Sequence, residues 1–181
     1  MKLNSPQFFI FFAFSLIFGS LLSSSVFADE PVFSEVALTE AEKSYLIQNC
    51  DTLKTGLKRL AVSDSKTRTY FGGIYETISS KYIIPLNLRL VKNNYSFPEL
   101  TSLQSSVASS RAKFSSDFIA YSKSLEDLIA TDCKTSPETF YEKLIKTRSA
   151  RSLVKSDLES LNELLKSHYS LVKNLKGSFN G

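Results

Sequence analysis

The sequence has little of what metal and cofactor sites require. Its 181 residues include one histidine, His168, two cysteines and no tryptophan. A zinc site needs three or four Cys, His or carboxylate ligands, yet the residues about one helical turn from His168 are Leu164, Leu165, Leu171 and Val172. We therefore expect no metal site and no cofactor, and we expect His168 to lie at a packed helix seam.

Signatures of known enzyme classes are missing or misplaced. The Ser-x-x-Lys motif of penicillin-recognising enzymes occurs, for example, at residues 63–66 and 110–113, but a chain rich in Ser and Lys produces such pairs by chance. The companion motif Lys54-Thr55-Gly56 falls within a helical pattern, and no Ser-Asp-Asn accompanies it. Gly-rich phosphate loops do not occur. The sequence therefore predicts no catalytic residue.

The excess of one charge sign is small. There are 22 basic and 18 acidic residues, a formal net charge of +4. Acidic residues crowd positions 29–42, and basic ones recur over 54–68 and 143–155. Interspersed lysines on a helical surface are typical of solubility rather than of nucleic-acid binding, so we expect no nucleic-acid partner. A protein or an anionic envelope polymer would suit the basic stretches better.

The longest apolar run lies at the N-terminus. A basic start at Lys2, an apolar run over residues 8–22 and small residues leading to Ala28 have the order of a secretory signal peptide. Glycine and serine interrupt the run before the ~20 apolar residues that a membrane-spanning helix needs. We expect cleavage after Ala28, no stable membrane span in the cleaved chain, and a secreted or periplasmic protein; an uncleaved anchor is the alternative.

Hydrophobic spacing predicts an all-α fold. Apolar residues recur in alternating steps of four and three, the spacing that keeps one helical face buried. The expected architecture is an elongated antiparallel bundle of three long helices, at about 40–92, 99–131 and 137–176. In the last helix the strict seven-residue repeat indicates packing with slight supercoiling.

Local signals give the segment boundaries. Thr39 and Glu42 match a capping box, Pro137 suits the first position of the last helix, and Gly177 suits its end. The predicted segments are a signal peptide at 1–28, a flexible lead-in at 29–38, the helical-bundle domain at 39–176 and a flexible tail at 177–181.

Two places in the first helix allow another interpretation. A turn near Ser63 would give a four-helix bundle, but the four-three spacing continues through Asp64, Thr67 and Phe71, which favours one helix. Pro85 must kink or end the helix. Residues 86–90 alternate between apolar and polar, as a strand does, but no other strand is predicted to pair with them, so we expect a kinked helix.

The two cysteines, Cys50 and Cys133, are predicted to form a disulfide, because both lie in the exported part of the chain. In an antiparallel hairpin, residues equidistant from the turn lie level. The midpoint of positions 50 and 133 falls beside the predicted loop at 92–98, so the three-helix bundle brings the two cysteines together. A reversal at Ser63 would separate them.

Aromatic residues gather around the Gly72-Gly73 pair and the loop that follows. Small residues among aromatic ones allow a ligand or a helix to approach the backbone, although core packing is the alternative. The candidate binding surface comprises Tyr70, Tyr75, Tyr82, Tyr95 and Phe97.

Three functional hypotheses follow. The first is an exported, non-enzymatic helical-bundle protein with a binding or structural role in the cell envelope or the extracellular space. The second is a periplasmic chaperone or cargo-holding protein, which would need an exposed apolar concavity. The third is an enzyme of unknown type, which would need a polar pocket with a perturbed acid or base.

Overall fold

The computed structural model describes residues 38–179, and in that part of the chain three helical rods pack together, each running antiparallel to the next along the chain. The first rod consists of α1 (Glu40–Ile78), a π-helical turn (Ser79–Ile83) and α2 (Ile84–Lys92). The others are α3 (Pro98–Ala130) and α4 (Pro137–Phe179). The predicted all-α bundle of three long helices is confirmed. The predicted signal peptide at 1–28 and all but the last residue of the lead-in lie outside the described residues.

The start of α1 follows from its capping box. The Thr39 side chain accepts a hydrogen bond from the Glu42 backbone N–H at 3.3 Å, and the Thr39 N–H donates to the Glu42 carboxylate at 2.8 Å, which satisfies two amides at the helix end. From there α1 continues past Ser63 without a break. The four-helix alternative is therefore not adopted.

The kink expected at Pro85 takes the form of a π-helical turn. A proline in a helix lacks an N–H and its ring clashes with the carbonyl of the residue four positions earlier. The chain widens over Ser79–Ile83, where the Ile84 N–H bonds to the Ser79 carbonyl, and the α-helix resumes immediately before Pro85. Residues 86–90 are thus helical rather than extended.

The turn after α2 is a Schellman motif. Asn94 adopts a left-handed conformation with φ of 59°, and the N–H groups of Asn94 and Tyr95 bond to the carbonyls of Val91 and Leu90 at 3.0 and 2.9 Å. Asparagine tolerates this conformation better than most residues. The chain then reverses into α3, whose first residue is Pro98.

The seam between α3 and α4 is the most extensive contact in the bundle and follows the predicted seven-residue repeat. In each helix, buried positions recur every seven residues. These are Leu100, Val107, Phe114, Tyr121 and Leu128 in α3, and Phe140, Thr147, Val154, Leu161, His168 and Leu175 in α4.

The core is divided unequally along the bundle. A large cluster extends from Leu46 and Phe140 to Tyr75 and Leu161, whereas a small one consists of Leu90, Leu100 and Leu175 with partly buried neighbours. We call the part around Cys50, Cys133 and Phe140 the disulfide end. The part formed by residues 79–110 and 160–176 is called the distal end.

The last helix is longer than predicted. It continues through Gly177, which has no positive φ, and reaches Phe179, three residues beyond the expected end. A C-terminal glycine stops a helix when the chain must turn there and the glycine takes a left-handed conformation. Gly177 does not take that conformation and remains within the helix.

Candidate functional site

The two cysteines meet as predicted. Cys50 of α1 and Cys133 of the loop before α4 form a disulfide with a Cα–Cα distance of 5.6 Å, and both residues are buried. Charged contacts surround this bond. Lys134 pairs with Asp51 at 2.7 Å, Lys43 pairs with Glu138 at 2.8 Å, and Lys54 donates to the Thr131 carbonyl at 3.2 Å. The disulfide end is thus tied both covalently and by polar contacts.

A polar cluster joins all three rods in the middle of the bundle. The buried Tyr121 hydroxyl of α3 donates to the Asp64 carboxylate of α1 at 2.7 Å, and Arg151 of α4 contacts the same carboxylate at 2.8 and 3.2 Å. Burial and this hydrogen bond raise the pKa of Tyr121, and Asp64 raises the pKa of Arg151. Hence Tyr121 stays protonated and Arg151 stays charged, so both can donate hydrogen bonds to Asp64 and link the three rods.

A second polar cluster joins α3 to α4. Lys113 contacts both Asp117 and the buried Asp157 at 2.6 Å. The hydrogen bond from Lys113 holds the pKa of Asp117 below its ordinary value. One oxygen of Asp157, Oδ2, accepts no hydrogen bond from the protein. Sequence analysis did not single out Asp157; its position, three residues after Val154 and four before Leu161, is the signal that places it at the seam.

His168 lies in the seam of the distal end, as its spacing predicts. It is buried, its Nε2 has no hydrogen-bond partner in the protein, and burial lowers its pKa below the ordinary value of 6.5. The imidazole is therefore neutral at physiological pH.

Asn87, also at the distal end, is buried as well. Its amide donates to the Leu100 carbonyl at 3.1 Å and to Gln104 at 2.7 Å.

The five aromatic residues of the candidate binding surface do not form one patch. Tyr75 is 2% exposed and belongs to the main core, where its hydroxyl donates to Asn162 at 3.1 Å; burial raises the pKa of Tyr75 to about 12. Phe97 packs against the small distal core. Tyr70, Tyr82 and Tyr95 are exposed, but Tyr70 and Tyr82 are ~18 Å apart along the rod.

Two open grooves run between the rods. One, of about 530 Å³, lies beside Gly72 and Gly73; alanines, two arginines (Arg68 and Arg111) and two aromatic residues (Tyr75 and Phe114) line it. Arg68 stacks over the Phe118 ring at 5.2 Å, and Arg111 pairs with Glu76. The other groove, of about 470 Å³, is lined mainly by serines of α3 and α4. Neither is an apolar concavity.

The most exposed apolar face lies on α2 at the distal end, and sequence analysis did not identify it. Ile84, Leu88 and Val91 are 38%, 64% and 68% exposed. Their spacing of four and three residues puts them on one helical face. The signal that could have found this face is the composition of α2, which has apolar residues on both of its sides.

Residues 38–179 are the part of the chain that the structure describes. In this part of the chain, no group of three or more His, Cys, Asp or Glu side chains is placed to hold a metal ion. No helix in the same range is long and apolar enough to cross a membrane.

Comparison with protein-family models, with curated proteins and with solved structures finds no match to this chain.

Proposed function

We propose that the chain is an exported, non-enzymatic helical-bundle protein with a binding or structural role in the cell envelope or the extracellular space. The observation that carries the proposal is the buried disulfide between Cys50 and Cys133. Disulfides form and persist in oxidising compartments and are rare in the cytosol. The N-terminal pattern of a signal peptide independently points to the same compartments.

The non-enzymatic part of the proposal is supported by the contacts that the buried and partly buried ionisable groups make. Asp64 is held by Tyr121 and Arg151, and Asp157 is held by Lys113. Burial, rather than a charged neighbour, lowers the pKa of His168. A general acid or base is normally tuned and oriented by a partner group. In this bundle, the two aspartates make polar contacts between helices, and His168 packs between helices.

The chaperone hypothesis is supported less well. Holding unfolded clients calls for a large exposed apolar concavity, whereas the two grooves have mixed linings. Serines line one beside Leu164, and arginines and small residues line the other beside Tyr75 and Phe114. The apolar residues exposed on α2 lie on the outer side of a helix instead of inside a cleft.

The location is tested by fractionating cells that express the native gene. We expect the protein outside the cytoplasm, with its N-terminus at Asp29 by mass spectrometry and with no thiol that reacts before reduction. A variant lacking residues 1–28 serves as the control and should stay in the cytoplasm with free thiols. Native protein found in the cytoplasm with Met1 retained and both thiols free would refute the proposal.

A further inference from the structure

The outer face of α2 has the features of a docking surface. Leu88 and Val91 are more than half exposed, and Ile84 continues the same face toward the helix start. On the inner side, Leu86 and Leu90 pack in the distal core and Asn87 is buried. A helix that is apolar on both sides is normally covered on both sides. Here the outer side has no cover within the described chain.

The charges around this face are mostly positive, and the acidic residues of the distal end are Glu99 and Glu163. Residues 79–98 include Lys81, Arg89 and Lys92 and no acidic residue, and Lys92 lies one helical turn beyond Leu88. The neighbouring end of α4 adds Lys173 and Lys176, and also Lys166, which pairs with Glu163 at 2.7 Å. The distal end is therefore basic, whereas acidic residues are numerous at the disulfide end.

Two tyrosines flank the apolar face. Tyr82 precedes it in the π-helical turn and Tyr95 follows it in the Schellman turn, and both are about half exposed. A tyrosine combines an apolar ring with a polar hydroxyl, and such residues concentrate where a bilayer meets water.

The apolar face, its basic neighbours and the two tyrosines together indicate which kind of partner binds there. A second copy packed symmetrically on α2 would bring Lys81, Arg89 and Lys92 of both chains together, which like-charge repulsion disfavours. An apolar helical face bordered by Lys, Arg and Tyr instead matches the surface of an anionic bilayer. Such a surface takes apolar side chains at the level of the headgroups and pairs basic side chains with phosphates.

We propose that the distal end docks on the surface of an anionic lipid bilayer. Ile84, Leu88 and Val91 enter the boundary between headgroups and acyl chains, and Lys81, Arg89 and Lys92 contact lipid phosphates. The inference deepens the proposed envelope role and rests on it for access to a membrane. It requires no membrane-spanning segment.

The experiment measures binding of the processed protein, its N-terminus verified by mass spectrometry, to vesicles. Vesicles of equal parts phosphatidylglycerol and phosphatidylcholine are compared with pure phosphatidylcholine at low and high salt. We expect binding to the anionic vesicles alone, weakened by salt. The double variant Leu88→Gln with Val91→Gln, which keeps good helix formers, should bind at least ten-fold more weakly.

Matched controls are available in the same chain. Val62 and Leu153 are 58% and 53% exposed elsewhere on the bundle, so Val62→Gln with Leu153→Gln should bind like the unmodified protein. Neutralising Lys81, Arg89 and Lys92 to Gln should weaken binding by about five-fold for each charge. Neutralising the exposed Lys58, Arg59 and Lys66 of α1 should have a much smaller effect.

The absence of tryptophan provides a direct reporter. Tryptophan emission should shift to the blue on addition of anionic vesicles in Leu88→Trp but not in Leu153→Trp. Equal shifts, equal binding of the Leu88/Val91 variant, or no binding of the unmodified protein would overturn the proposal. A dimer that the Leu88/Val91 variant abolishes, in the absence of vesicle binding, would assign the face to a second copy. Each of these results leaves the export test unaffected.

Discussion

The two ends of the bundle are built differently. At the disulfide end a covalent bond, a large core and ion pairs between rods hold all three helices together. At the distal end the core is smaller: a cluster of three buried leucines with partly buried neighbours, together with the buried Ile83 and Val107. There Asn87 and His168 each bury a polar atom without a hydrogen-bond partner in the protein. Stabilising contacts are therefore concentrated at one end, and the exposed apolar face of α2 lies at the other.

The difference between the two ends has a physical explanation. Buried polar atoms without partners lower the free energy of unfolding, and a small core adds little to it. The distal end is therefore the part that should open most readily. A segment that presents leucine and valine to solvent can be maintained when the rest of the bundle supplies the stability. The following experiments test that division from the largest expected effect to the smallest.

Removing the disulfide should have the largest effect. Cys50 and Cys133 are separated by 83 residues, and constraining so long a loop in the unfolded chain stabilises the fold by up to about 4–5 kcal/mol. The variant Cys50→Ala with Cys133→Ala should lose a large part of that free energy of unfolding in urea titrations. Reduction of the unmodified protein is the control and should give a similar loss. An unchanged midpoint in both would show that the disulfide end does not depend on its bond.

The cluster of Asp64, Tyr121 and Arg151 should rank second. Tyr121→Phe removes the hydroxyl that donates to Asp64 and should cost about 1–3 kcal/mol, since a partly buried charged acceptor loses a partner. The matched control is Tyr70→Phe, because Tyr70 is exposed and its change should be close to neutral. The two variants are compared by urea denaturation. Equal stability of both would contradict the role of the cluster as a tie between rods.

His168 should make the distal end sensitive to pH. Burial lowers its pKa below 6.5, so the folded state binds a proton less readily than the unfolded state. The stability that depends on neutral His168 is complete above about pH 6.5 and declines as the pH falls through the lowered pKa, by at most about 1.4 kcal/mol per pH unit. His168→Leu should keep or raise stability at pH 7.5 and reduce the loss between pH 6.5 and 5.

Because the chain has one histidine, the difference between the two proteins isolates this group. The measurement is urea denaturation at several pH values. A steeper loss of stability on acidification in His168→Leu than in the unmodified protein would contradict the buried, neutral imidazole.

The helical glycines should give the smallest change. A Cβ added at Gly56, Gly72 or Gly73 meets nothing within 4 Å, and none of these glycines has a positive φ. Each Gly→Ala variant should therefore raise stability by about 0.5–1 kcal/mol in thermal unfolding. Gly56, nearer the disulfide end, is the control for the pair beside the groove. Stabilisation at Gly56 together with destabilisation at Gly72 or Gly73 would contradict the open space seen there.

Much of the architecture could be predicted from the sequence because its signals are periodic. The seven-residue spacing from Phe140 to Leu175 identifies the buried face of α4, and the levels of Cys50 and Cys133 favour three helices over four. Those signals do not depend on how one helix is rotated against another.

The candidate site could be predicted less well, because its contacts depend on that rotation. Asp64 and Arg151 lie on predicted faces, but their meeting with Tyr121 follows from the packing of all three rods. The exposure of Ile84, Leu88 and Val91 depends on the π-helical turn before Pro85, which shifts the phase of α2. Tyr75, predicted at a surface, lies in the core; it precedes the π-helical turn, so its position depends on the packing of α1 against the other rods.

The most direct test of the division between the ends is native-state hydrogen exchange resolved along the chain. We expect amides of α2, of residues 98–107 and of residues 164–176 to exchange through an opening that leaves residues 114–128 and 140–161 protected. The disulfide end should open only with global unfolding. Uniform protection along all three rods, or weakest protection beside Cys50 and Cys133, would contradict the account.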